Sequence, residues 1–441
     1  MAQWNITTQD YLNQERSLFE VNGVATRDGK IVDEYNRFPV SINSDSFGRT
    51  RVSNPLTLFD STHRYRDNNL WDSLIVGAGS TVGFATTEGL VNLTVGVGST
   101  ASIIRETTKV FSYQPGKSLL TMNTFVLNPP KENLRQRVGY FGADNGIYFE
   151  VDGTTAYFVE RSLSLGTETR VSQSNWNIDK LDGTGVSGIT LDSTKAQILW
   201  MDIEWLGLGN VRLGFIINGK FIHAHTFQHA NIIQSTYITT ASLPLRYEIS
   251  NTGITTSAST LKQVCSTVIS EGGYELRGLQ QAVSTPIITP VDLPTPRGTY
   301  YPIISIRLKA PINGHPDRLD AIVIMTALSI MGTGNGPQYN WQVRASATTS
   351  GGIWVSAGDD SAVEYKLDGG SVTGGRVLAS GFLTSANQSS QSVDILKEAL
   401  FKFQLERNGL TKTPYELTLV AASDTAGADI YASMDWEEIS R

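Results

Sequence analysis

Three histidines in the run FIHAHTFQH, namely His223, His225 and His229, are the first residues to weigh for chemistry. His223 and His225 are two apart, which on a strand puts both imidazoles on one face. His229 follows four residues later, past the expected strand end. Such a group can begin a zinc site, but Gln228 and Asn231 are poor donors and no fourth ligand stands nearby. The competing reading makes the three polar residues at a sheet or subunit edge. In NWNIDKLDGTGVSG, Asn175, Asn177, Asp179 and Asp182 supply oxygens around Gly183 and Gly185, with a superficial likeness to a calcium loop. The EF-hand spacing and its closing glutamate are missing, and turn chemistry explains the same residues. Asp202 and Glu204 in MDIEW share a strand face, as some sugar-cleaving sandwiches arrange their acids. Side chains two apart on one strand nevertheless point in parallel rather than bracketing a substrate. Trp205 and Trp341 are candidate sugar platforms if their rings are exposed. The balance predicts no catalytic residues, no bound metal and no cofactor.

The elements around these residues read as strands. Between Arg135 and Ser250, GYFGADNGIYFEVDG, TAYFVERSLS, AQILWMDIEWLG, VRLGFIINGKFIHAHTF and PLRYEIS are rich in β-branched and aromatic residues. Asn-Gly, Asp-Gly and Asn-Thr-Gly close them. Ile147, Phe149 and Val151 are expected on one side of a strand, with Tyr148, Glu150 and Asp152 on the other. Similar runs precede this region from Arg51 and follow it to the end of the chain. AIVIMTALSIM reads as a buried strand continuing past a bend. The only helix candidates are Gln9 to Phe19 and DILKEALFKFQL at 394–405.

The fold class predicted is all-β. Two antiparallel β-sandwich domains of jelly-roll or laminin-G/concanavalin type, 51–285 with long insertions and 301–441, follow an extended N-terminal docking arm, 1–50. The proline-rich 286–300 connects the two. In the arm, Trp4, Phe19, Tyr35 and Phe38 are isolated anchors in a polar segment. With Arg49 and Arg51 they are the expected docking residues, with an arm lying on its own body as the alternative.

Composition narrows the function. Charged residues are 17 %, Gly numbers 41 and the formal net charge is -7, which argues against general nucleic-acid binding. Cys265 is the single cysteine, so no internal disulfide is available, and its alternating flanks place it in or near a core strand. No signal peptide or membrane-inserting stretch is legible.

The run from Asn175 through Ile249 carries Trp205-Leu206-Gly207, Asn218-Gly219, His229-Ala230-Asn231 and Leu243-Pro244-Leu245-Arg246-Tyr247-Glu248. Upstream stand Tyr113-Gln114-Pro115-Gly116-Lys117-Ser118 and Gly139-Tyr140-Phe141. Across about residues 50 to 250 this pattern resembles virion structural proteins of tailed bacteriophages, especially cyanophages, of tail fibre, baseplate or head-decoration type. The resemblance implies a non-catalytic virion component, made in the host cytoplasm, that docks on other virion proteins by its N-terminal end. Self-association is expected, as a trimer first and a hexamer next. The alternative is host-surface glycan recognition, with a glycan depolymerase behind it.

Overall fold

Alternation decides the layers. In Gly146–Asp152, Ile147, Phe149 and Val151 enter the main core, while Tyr148, Glu150 and Asp152 turn to the opposite face. The computed structural model describes residues 55–441 apart from 276, 294–295, 335–336, 368–369, 387–390, 395–401 and 441. Before residue 55 it describes only the backbone of three short antiparallel strands, Phe19–Val21, Val24–Arg27 and Lys30–Ile31. Met1–Val52 forms one unit and Ser53–Arg441 another. The docking candidates Trp4, Tyr35, Phe38, Arg49 and Arg51 lie outside the described residues, and Phe19 is described by its backbone alone. The helix expected at Gln9 to Phe19 falls there too, and most of that at 394–405 falls on 395–401.

Within Ser53–Arg441 the chain is all-β and builds two antiparallel sandwiches. The first has an eight-stranded sheet, in which Lys220–Phe227, Val211–Ile217, Gln197–Ile203, Ser118–Val126, Ser259–Glu271, Leu90–Val95 and Thr81–Ala85 are neighbours in that order. Leu56–Thr62 also pairs with Ser259–Glu271. The facing seven-stranded sheet runs Thr167–Ser172, Thr155–Ser162, Gly146–Asp152, Leu134–Phe141, Leu245–Asn251, Ser102–Thr107 and Trp71–Val76. Their inner faces meet through aromatic contacts such as Phe125 on Phe149, with ring centroids 6.2 Å apart. Each large apolar side chain buried this way contributes about 1.5–3 kcal/mol.

The second sandwich has a six-stranded sheet of Val355–Ser356, Val363–Leu367, Tyr301–Leu308, Glu416–Ser423, Gln338–Ser350 and Ser371–Thr384. Its partner is a five-stranded sheet in which Ala428–Ser440 pairs with Leu279–Ser284, Val291–Leu293 and Ile322–Gly332. Two expectations about organisation shift here. Leu279–Ser284, read as the end of the first sandwich, belongs to the second, and the proline-rich connector contributes Val291–Leu293. Cross-chain pairing with Ala428–Ser440 decides both, and no local pattern shows it. Ile322–Gly332 is the buried strand expected, with register shifts at Ile322/Val323 and Met325/Ala327. Among the described residues no helix is long and apolar enough to cross a membrane.

The sandwiches touch through Val110, Ile322 and Ile324, with Ile439 packed against them. Polar bonds surround this small cluster. Gln404 Nε2 donates to the Val110 carbonyl at 2.9 Å, and Tyr415 Oη donates to Asp72 Oδ1 at 2.8 Å.

Candidate functional site

Arg407 is the hinge-pin of the contact between sandwiches. Its backbone N–H donates to Thr108 O at 2.8 Å, Nε to Leu319 O at 3.2 Å and Nη1 to Thr107 O at 2.6 Å. Nη1 also lies 3.3 Å from Glu106 Oε1. Next to it opens a pocket of about 290 Å³, at a junction of the kind where ligand sites concentrate. The first sandwich gives it residues from 142–145 and 239–246, and the second gives residues from 317–320 and 407–412, with Glu106, Arg246 and Arg407 at the floor. Gly409 is needed at this edge, because a Cβ there would run into the Glu106 carboxylate.

The walls are held by internal bonds. Asn145 Oδ1 accepts from the backbone N–H of Leu163 at 3.2 Å and of Thr239 at 3.1 Å, and its Nδ2 donates to Thr239 Oγ1 at 2.7 Å. The buried Tyr140 hydroxyl reaches the carbonyls of Phe111 and Ala241 and accepts from Leu243 N–H. Arg161 Nη1 donates to the carbonyls of Gly142 and Ala143. The rim exposes Asp144, Asp317, Asp320 and Lys412. Although Asp320 reaches the surface, desolvation by the loops around it raises its carboxyl pKa.

From the pocket floor an ion-pair ladder crosses the outer face of the seven-stranded sheet. Glu106 pairs with Arg246 at 2.8 Å, Arg246 with Glu248 at 3.0 Å and Glu248 with Arg137 at 3.2 Å. Arg137 pairs with Glu150 at 2.6 Å, Glu150 with Arg170, and Arg170 with Asp152 at 2.8 Å. Strand register makes the pairs: Arg246 sits opposite Glu106, and Arg137 opposite both Glu248 and Glu150. Aromatic rings pave the same face, with the Arg170 guanidinium 4.3 Å over Tyr157 and Arg161 5.3 Å over Tyr148. A one-residue slip would break every rung at once.

The residues singled out from sequence do not assemble into one site. His223 and His225 do not share a face. The register shift at Leu213/Gly214 makes Ala224 an extra residue, so His223 packs on Trp200 outside while His225 stacks on Phe158 inside. His225 Nδ1 accepts from Asn177 N–H, and His229 is buried between Glu160 Oε2, at 2.7 Å from Nε2, and the Gly209 carbonyl. Asp179 is occupied by the backbone N–H groups of Leu181 and Ser187, and Asp182 by Thr184 two residues on. Turn chemistry therefore accounts for both aspartates, and Gly185 is glycine because Asp179 fills the space of its Cβ. Among the described residues no group of three or more His, Cys, Asp and Glu could hold a metal ion. Asp202 is ion-paired to Arg212, Glu204 is buried, and neither lines the pocket.

Trp341 is only 7 % exposed and its ring lies under Gly381, where a Cβ would stand 2.6 Å from it. That placement takes it out of any sugar platform. Trp205 is half-buried and its Nε1 donates to Ile238 O. Cys265 is half-buried in Ser259–Glu271, and burial raises its thiol pKa. The pocket was missed because its residues lie up to three hundred positions apart. The local signal that existed was the alternation of Arg246 and Glu248, beside the Arg137 and Glu150 strands.

Two buried histidines give a pH dependence. His225 is lowered to about 4 by burial and then by the nearby His223. His63 is lowered to about 4 by burial and then by Arg105, against Asp67. Both are neutral in the fold, so between about pH 6.5 and 4 the unfolded chain binds more protons. Their stabilisation is complete above pH 6.5 and lost as pH falls, by about 3 kcal/mol per histidine at most. Denaturant unfolding at pH 7 and at pH 4.5 should show this fall. His225→Gln should reduce it by about half, leaving the share of His63, and equal stability of the wild type at both pH values would refute the assignment.

The comparisons with known proteins bear on the fold alone. No family model matches the chain, and no curated protein matches it. Solved structures resemble it over about half to two thirds of its length. The carbohydrate recognition domain of Emp47p aligns at 11 % identity and TM-score 0.32, over 51 % of this chain and 100 % of its own. A protein of unknown function from Shewanella oneidensis MR-1 aligns at 8 % and 0.34, over 62 % and 99 %. A GH16 protein of Bacteroides ovatus, solved with a glucan product, aligns at 12 % and 0.34, over 48 % and 99 %. At these TM-scores the likeness supports no functional argument.

Proposed function

We propose that the chain is a non-catalytic recognition protein whose pocket between the sandwiches binds a sugar unit of a surface glycan. The observation that carries the reading is the make-up of that pocket. Carboxylates, two arginines, a lysine, threonine hydroxyls and backbone groups surround a volume of about 290 Å³, interleaved with Val110, Leu163, Leu243 and Leu319. Sugar rings present hydroxyls that donate and accept in many directions and C–H faces that favour apolar contact. Rigid donors and acceptors with apolar patches match both. The described lining contains neither histidine nor cysteine, and its buried charges are already paired in the ladder.

A glycan array probed with the folded protein tests this. Binding is expected, with a loss of about tenfold or more in Asp144→Ala/Asp320→Ala, equivalent to removing one or two hydrogen bonds to a ligand. The thermal midpoint should be kept, since both side chains sit at the rim. No binding to any glycan, or binding indifferent to the double substitution, would sink the proposal. Release of reducing sugar from a bound polysaccharide would replace it with the depolymerase reading.

The virion setting implied by the sequence resemblance is proposed alongside. A tail fibre or baseplate part can recognise a host surface and also be structural. Mass spectrometry of purified phage particles would decide whether the chain is a component, and its loss from them would remove the setting without touching the pocket.

A further inference from the structure

Ser371–Thr384 is the last strand of the six-stranded sheet and, among the described residues, pairs only with Gln338–Ser350. Among the described residues nothing pairs with the other long side of its fourteen residues, SVTGGRVLASGFLT. Sheets usually protect such an edge with lysine, proline, inward charge or short length. This one has no proline, lysine or acidic residue, and its single charge, Arg376, is turned to Glu406 at 2.9 Å. It does have a bulge at Leu378, where the register shifts between Val343 and Arg344. Beyond the bulge, Ala379 to Thr384 is regular, uncharged and open, with Phe382 78 % exposed.

We infer that this segment is an association surface for a second copy of the same chain, paired antiparallel about a two-fold axis at Gly381. The occupant follows from the sequence of the edge. Opposite residues of an antiparallel pair share a face. With Gly381 on the axis, Phe382 of each copy meets Ser380 of the other on the outer face, and Leu383 meets Ala379 on the core-facing side. Every large side chain thus faces a small one, and no charge faces a like charge. Two six-stranded sheets would become one continuous sheet, and the exposed Phe382 rings would be covered on both sides of the axis. The contact is isologous, with the same segment contributed by both copies.

Sedimentation of the full chain at micromolar concentration, with two variants, tests the inference. The wild type should be an even-numbered oligomer, and Phe382→Lys should halve its mass with the thermal midpoint unchanged. In a Cys265→Ser background, Ser380→Cys/Phe382→Cys should cross-link into covalent dimers under mild oxidation. A monomeric wild type, or a folded Phe382→Lys chain of unchanged mass, overturns the proposal. If Phe382→Lys fails to fold, the cysteine pair decides: covalent dimers support the contact, and their absence rejects it.

Discussion

Arg407→Ala is expected to cost about 3–5 kcal/mol and to abolish binding in the pocket together. The substitution removes a buried guanidinium and leaves Glu106 with Arg246 as its one remaining ion-pair partner. The carbonyls of Thr107 and Leu319 lose their donor at the same time, and each buried acceptor left unmatched adds about 1–3 kcal/mol of desolvation cost. Because the contacts with Thr107 and Glu106 join the sandwiches, the loss should also appear as a loosened junction. Calorimetry is expected to resolve two transitions in the variant where the wild type gives one. Arg407→Lys should not rescue it, since an ammonium cannot reach Thr107, Leu319 and Glu106 together. A variant with an unaltered midpoint and unaltered glycan binding would show that the junction does not depend on this residue.

The second large effect is expected inside the first sandwich. Arg105 is 2 % exposed and lies between the sheets, where Nε donates to Gln263 Oε1 at 2.7 Å and Nη1 to Ser73 Oγ at 2.9 Å. Burial lowers its pKa, and Asp67, at 2.6 Å, supplies the nearest opposing charge. Asp67→Ala therefore strands a buried cation, with an expected loss of about 3 kcal/mol. The loss stays at the low end for a broken buried pair because Asp67 itself is about a third exposed and partly screened by solvent. Asp67→Ala/Arg105→Met should recover much of that loss, because an apolar side chain of similar length needs no counter-charge. Urea unfolding of the three proteins checks this. A double variant less stable than Asp67→Ala would mean that Arg105 acts through its neutral hydrogen bonds rather than its charge.

Strands that alternate on their own were legible in the sequence. The faces of Gly146–Asp152 follow from period two, and Ile322–Gly332 reads as a strand from its β-branched residues. Trp341 shows a legible signal passed over: Tyr339, Trp341, Val343 and Ala345 alternate with polar residues, which places the tryptophan on the buried side. The histidines misled for a different reason. A single extra residue at Ala224 reverses the face of everything beyond it, and nothing in FIHAHTF announces a bulge. The pocket and the ladder were illegible because their parts come from strands adjacent only after folding. Glu106, Arg246 and Arg407 have no common local pattern, and only the order of strands in the sheet brings them together.

The position of Ala428–Ser440 has a consequence for how the protein is made. This strand lies in the interior of the five-stranded sheet, bonded to Ile322–Gly332 on one side and to Leu279–Ser284 and Val291–Leu293 on the other. It also brings Met434 and Trp436 into the core. A ribosome therefore delivers the keystone after every strand it must join, and the earlier ones wait with their edges unsatisfied. The first sandwich suffers no such delay, since all its strands have emerged by Glu271. Nascent chains thus pass through a stage with one finished half and one open half, and chaperone protection would be needed on the second.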